Sequence, residues 1–295
     1  MSTTSRIRFS RRASRSSWSR SIDCSRASRN VSGPSSRGDF LRAPGSGGGY
    51  RIVIRSESFT QTAAAFLARK LAVLGARGPI SVALSGGSTP GPVYRLLAVS
   101  SLPAWERTTV YFADDRAVPR DHPESNYRLV RETLLERAGI PGDRVHPMIP
   151  ERWDAPLEEA DPASALERLD PIARAYADAL PPRLDLILLG LGRDGHTASL
   201  FPGAAALDER ERRVLAVEGP TAPRFRLTIT PPEIARARLV VVLVRGREKR
   251  EALRKSATPG SAVDVPGRLA NRGIWLVDRD AIGSTDAPGS GDGAP

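Results

Sequence analysis

The chain has 295 residues, with 44 Lys+Arg against 33 Asp+Glu and a formal net charge of +11. Ten of the Arg, with only Asp23 and Asp39 to offset them, fall in residues 1–49, so +8 of the charge is confined there and residues 50–295 carry +3. That split argues against a nucleic-acid-binding body, and no stretch approaches the roughly 20 uncharged apolar residues of a membrane-spanning helix.

Residues 1–49 are Ser/Arg-rich, show no apolar period and close in the flexible composition Gly45-Ser46-Gly47-Gly48-Gly49. They are expected to form a disordered tail. No apolar run follows the basic start as a secretory signal requires, and Arg11-Arg12 is a poor twin-arginine signal. Three readings of the tail stand: an organelle transit peptide, an arm binding an anionic partner, or translated sequence upstream of the true start. Three Lys (70, 249 and 255) beside 41 Arg point to a GC-rich genome, favouring the third reading and a bacterial cytoplasm. The single Cys24 excludes an intramolecular disulfide and a cysteine-based zinc site. The only histidines are His122, His146 and His196, in no metal-binding motif.

Order is expected from the strand-like run Tyr50-Arg-Ile-Val-Ile54, followed by a helix over 57–75 with Phe66, Leu67, Leu71 and Leu74 on one face. Further strands are predicted at 80–84, 108–113, 184–189, 226–230, 239–244 and 274–277, and helices at 91–99, 125–138, 161–180, 231–237 and 246–256. Short β-branched runs alternating with amphipathic segments predict one α/β domain over 50–281. Its mostly parallel, Rossmann-like sheet is flanked by helices on both faces, with chemistry at the carboxyl ends of the strands. Residues 282–295 are predicted to be a second disordered tail.

Three loops could carry that chemistry. Strand 80–84 runs into Ser85-Gly86-Gly87-Ser88-Thr89-Pro90, where glycines admit an anion to backbone N–H groups, hydroxyls add donors and a helix N-terminus follows. The other reading is a tight turn capped by Ser88 or Thr89. The Gly-Lys-Ser/Thr end of a nucleotide-hydrolysing loop is missing.

After strand 108–113, Asp114-Asp115-Arg116 and the stretch 121–127 form a polar loop, with Ser125 read as the N-cap of the next helix. The third loop, Gly190 to Pro202, contains G-x-G-x-x-G and then His196. A dinucleotide site, with Glu218 as its ribose acid, fails because Pro202-Gly203 leaves no room for the crossover helix. His196 on a Gly-rich turn beside Asp194 suits a general base, since imidazole titrates near neutrality. His146 reads as structural, and the role of His122 is inseparable from its turn. Lys249, in an Arg-dominated chain, marks either a placed point charge or a solvated helix face.

Taken together, SGGSTP at 85–90, DDRAVP and HPESNYR within 114–128, and LDLILLGLGRDGHTASLFPG at 184–203 resemble the 6-phosphogluconolactonases of the glucosamine-6-phosphate isomerase/6-phosphogluconolactonase superfamily. The resemblance runs on through Arg226-Leu-Thr-Ile-Thr230, Gly246-x-x-Lys249, Val265-Pro266 and Trp275 to Ala281. It implies hydrolysis of 6-phospho-D-glucono-1,5-lactone to 6-phosphogluconate, the second step of the oxidative pentose phosphate pathway. The partner implied is that small molecule, with no nucleic acid, membrane, metal or cofactor, and with monomer and homodimer both open.

By the same resemblance His196 is the general base and Asp194 its orienting carboxylate. The phosphate is bound by Gly86, Gly87, Ser88 and Thr89 with Arg226, Lys249 and Arg116. The deaminase/isomerase branch needs a further acid just after the histidine, where this chain has Ala198-Ser-Leu-Phe-Pro202. The family usually shows Asp-Glu-Arg where this chain has Asp114-Asp115-Arg116, one methylene shorter with the charge kept.

Overall fold

Runs rich in β-branched residues build the central sheet. The computed structural model describes residues 40–42 and 50–283, apart from 102, 104, 154–156 and 158. Its first half contains β1 (Phe40–Arg42), β2 (Tyr50–Ile54), α1 (Phe59–Gly75), β3 (Ile80–Leu84), α2 (Pro90–Ala98), β4 (Thr108–Phe112), β5 (Asp114–Arg116), α3 (Asn126–Val130), α4 (Glu136–Ala138) and α5 (Pro162–Ala179). There follow β6 (Leu186–Gly190), β7 (Val214–Glu218), β8 (Phe225–Ile229), α6 (Pro231–Arg236), β9 (Val240–Val244), α7 (Arg250–Ala257), β10 (Ile274–Asp278) and α8 (Arg279–Ile282).

The main sheet has the order β1-β2-β10-β9-β6-β3-β4, parallel throughout except for β1 at its edge. Every residue of β3, β9 and β10 is buried, so both faces are covered, as a parallel sheet requires. In α1, Phe59, Ala63, Leu67 and Leu71 recur every fourth residue and form a buried stripe. In α5, Asp161 accepts from Ser164 N at 3.1 Å and Pro162 occupies the first turn. Tyr176 of α5 accepts from Phe112 N at 2.7 Å, tying this helix to the carboxyl end of β4.

Two expectations are corrected. Strand 226–230 does not join the parallel sheet: β8 lies in a separate antiparallel sheet of order β5-β8-β7. Its partner β5 is the Asp114–Arg116 segment read as a loop, and pairing with β8 is what makes it a strand. Within 1–49, Phe40–Arg42 pairs antiparallel with β2 instead of belonging wholly to a disordered tail. The rest of 1–49, with Cys24 and Arg11-Arg12, and residues 284–295 lie outside the described residues.

The topology fixes where a ligand can enter. From β3 the chain crosses to β4 on one side, whereas from β6, the neighbour of β3 on the other side, it leaves toward β9. The loops after β3 and β6 therefore diverge and open a crevice at their carboxyl ends. Those loops are 85–90 and 190–203. Among the described residues, no helix is long and apolar enough to cross a membrane.

Candidate active site

The crevice is a cleft of about 450 Å³, within the range of small-molecule sites. Its first wall is the turn from β3 into α2. The amide N–H groups of Gly86, Gly87, Ser88 and Thr89 donate to no described residue. Thr89, at the N-cap position, makes no side-chain capping bond, and Pro90 brings no N–H of its own. The turn thus presents open donors and hydroxyls instead of using them to cap the helix. Gly87 has φ +111°, which a glycine tolerates, and a Cβ on Gly86 would overlap the side chain of Asn126. From within the core, the fully buried Tyr94 donates to Ser85 O at 2.7 Å and holds the turn down.

The second wall starts at β5. Asp115 faces away from ligand chemistry: Oδ1 accepts from Arg116 N at 2.8 Å and Asn126 N at 2.7 Å, and Oδ2 from Tyr127 N at 3.0 Å. Burial pushes this carboxyl up to about 7, against the three amide donors and with some help from the neighbouring Asp114. The shorter acid is thus a clamp on the 125–127 turn, where Ser125 caps α3 by accepting from Arg128 N at 3.2 Å. Arg116 reaches the cleft, donating from Nη1 to Asn126 Oδ1 at 2.7 Å and Glu124 O at 3.0 Å.

The third wall is the Gly190–Ala198 turn. Gly192 N donates to His196 O at 2.8 Å, and Gly195 N to Gly192 O at 3.2 Å with Gly195 at φ +93°, closing a tight loop. That fold brings His196 Nδ1 to 2.6 Å from Asp194 Oδ1, which also accepts from His196 N at 3.1 Å. A Cβ on Gly192 would overlap both side chains, so the glycine leaves the space in which the pair meets. Burial alone would raise the Asp194 carboxyl, but the hydrogen bond and charge of His196, with the local amides, hold it below the ordinary value. Asp194 is therefore an ionised acceptor, Nδ1 must carry the hydrogen, and Nε2 is left as the basic nitrogen.

The two remaining cations come from other elements. Arg226 of β8 lines the cleft with its guanidinium 5.3 Å from the Phe201 ring, donating to Pro223 O at 3.2 Å. Lys249 ends the turn Arg247–Lys249 after β9, and it is half-buried. Burial lowers its ammonium pKa and Arg193 adds to this, while Glu248 and Asp194 oppose it. All nine residues singled out from the sequence line this one cleft.

The sequence reading gave no role to Asp114, Asn126, Phe201 and Thr221, which line it too. The first two stand inside motifs flagged as polar, whereas a phenyl ring and a lone threonine carry no chemical signal. His146 stacks on Tyr111 at 4.8 Å and His122 accepts from Glu124 N at 3.1 Å; both lie away from the cleft. Glu218 pairs with Arg224 at 2.9 Å, and no helix follows the 190–195 turn directly, so the dinucleotide reading has no support. Among the described residues, no group of three or more His, Cys, Asp or Glu could hold a metal ion.

A sequence profile described as glucosamine-6-phosphate isomerases/6-phosphogluconolactonase matches residues 55–276. The chain belongs to this family. Within it, the chain is 41% identical over 212 residues to a 6-phosphogluconolactonase of Synechocystis sp., covering 70% of this chain and 84% of that one. Among solved structures of the family, 6-phosphogluconolactonase from Trypanosoma brucei superposes with a TM-score of 0.68 at 29% identity, over 78% of this chain and 96% of that one. A monomeric glucosamine-6-phosphate deaminase shares the fold, with a TM-score of 0.61 at 21% identity over 78% and 98%.

Proposed function

We propose that the chain hydrolyses 6-phospho-D-glucono-1,5-lactone to 6-phospho-D-gluconate in a cytoplasm, with His196 as general base. The observation that carries this is the His196–Asp194 pair, 2.6 Å apart, lining the same cleft as an anion-ready turn.

The phosphate sits on the 86–89 amides, with Arg116, Arg226 and Lys249 supplying charge-assisted hydrogen bonds. Anchoring this remote group holds the lactone in the cleft within reach of His196. Nε2 takes a proton from water as the water oxygen attacks the carbonyl carbon, and Asp194 stabilises the imidazolium. The tetrahedral oxyanion is met by cleft backbone N–H groups that neither the phosphate nor the turns' own hydrogen bonds occupy. Its collapse breaks the bond to the ring oxygen, which receives the proton from His196, leaving a carboxylic acid that ionises and an open-chain hydroxyl.

The deaminase reading is disfavoured by the cleft's acids: among the described residues Asp114 and Asp194 are the only carboxyl groups lining it, and no acid follows His196 through Pro202 in the sequence. Supplying the protein with 6-phosphogluconolactone and separately with glucosamine 6-phosphate tests the choice. Lactone opening well above the spontaneous rate, with no ammonia from the amino sugar, is expected. Ammonia release without lactone opening would reverse the assignment.

A further inference from the structure

We infer that Asp114 is the residue that reads the sugar: it accepts a hydrogen bond from a ring hydroxyl and makes the cleft selective for a hydroxylated lactone. The inference rests on the lactonase reading above.

Asp114 lines the cleft, is 6% exposed, and forms no ion pair among the described residues. Its Oδ2 accepts from Ser199 Oγ at 2.7 Å, and no other described side chain or amide reaches the carboxyl group. A carboxyl group offers about four acceptor positions, so most of its capacity is unused. The unused positions open onto the cleft, where a ligand hydroxyl can reach them.

The group is also held as a binding group must be. Ser199 itself is fixed by donating its N–H to Thr228 Oγ1 at 3.1 Å, and Thr228 is the residue opposite Asp114 in the β5–β8 ladder. The backbone carbonyl of Asp114 accepts from Asn126 Nδ2 at 2.8 Å. Asp114 is thus joined through Asn126 to the Gly86 turn and through Ser199 to the segment just after His196. With the phosphate at the first and the carbonyl at the second, the carbons between them face Asp114, and in this substrate class those carbons carry hydroxyls.

The test compares kcat/KM for 6-phosphogluconolactone with that for its 2-, 3- and 4-deoxy analogues, in the wild type, Asp114→Asn and Ser199→Ala. The wild type is expected to reject one analogue by about 10,000-fold or more, the scale for a site built around a hydroxyl. Asp114→Asn is expected to lose most of that discrimination, and Ser199→Ala, which keeps the carboxyl but frees it, part of it. Equal wild-type rates on all four lactones would overturn the inference without any variant, and so would wild-type discrimination in a folded Asp114→Asn. Failure of the wild type to open 6-phosphogluconolactone itself would instead remove the lactonase reading.

Discussion

Arg116 and Arg226 stand directly opposite one another across the β5–β8 pair, two like charges at adjoining positions facing one cleft. Such a pairing is unfavourable in an empty sheet. It is tolerated because Arg116 is bonded to Asn126 and Glu124 and Arg226 to the 221–223 carbonyls.

If the cations bind phosphate, Lys249→Ala and Arg116→Gln will act on KM. A lost charge-assisted bond of about 1.5–3 kcal/mol corresponds to roughly 10- to 100-fold in kcat/KM. Steady-state kinetics should show most of it in KM, and inhibition by inorganic phosphate should weaken in parallel. Unchanged phosphate inhibition would place the anion elsewhere.

Gly86→Ala is expected to displace Asn126 and with it the hold on Arg116, because the new Cβ overlaps the Asn126 side chain. Overpacking of this kind costs about 1–3 kcal/mol. Thermal melts should fall accordingly and activity should drop further. Gly142→Ala, whose Cβ meets nothing within 4 Å, serves as control and should leave both nearly unchanged.

Asp194→Asn removes the negative charge that fixes the Nδ1 hydrogen on His196 and offers Nδ1 an NH2 donor, which favours the wrong tautomer. The expected loss is about 100- to 10,000-fold in kcat with KM little altered. A loss confined to KM would make Asp194 a binding residue.

Asp115 gives a pH dependence with a defined sign. Its carboxyl, raised by burial to about 7 in the folded chain from an unfolded value near 3.8, binds its proton more tightly when folded. The stability it contributes is therefore complete below the unfolded value and is lost as pH rises through about 7. Asp115→Asn cannot titrate, so its melting temperature should gain on the wild type between pH 5.5 and pH 8.5. A constant difference across that interval would contradict the assignment.

Much of the sheet is legible in the sequence because strands buried on both faces must be apolar runs: 80–84 and 239–244 announce β3 and β9 within a residue. The second sheet is not legible for the opposite reason. Asp114–Arg116 has no apolar residue and becomes a strand only through β8, while β7 is half exposed and reads as an edge of nothing. In the site, residues with unmistakable chemistry were found: glycines at a strand end, and a histidine beside an acid. Phe201, which sits 4.8 Å from the His196 ring, works by packing, and packing partners distant in the chain leave no local pattern.

The most direct measurement of the central claim is the rate of 6-phosphogluconolactone opening, followed by a coupled assay for 6-phosphogluconate and corrected for spontaneous hydrolysis, in the wild type and His196→Ala. The mechanism requires a fast wild type and a loss of about 100- to 10,000-fold in kcat for the variant. A folded His196→Ala that turns over like the wild type would show that the base is not His196.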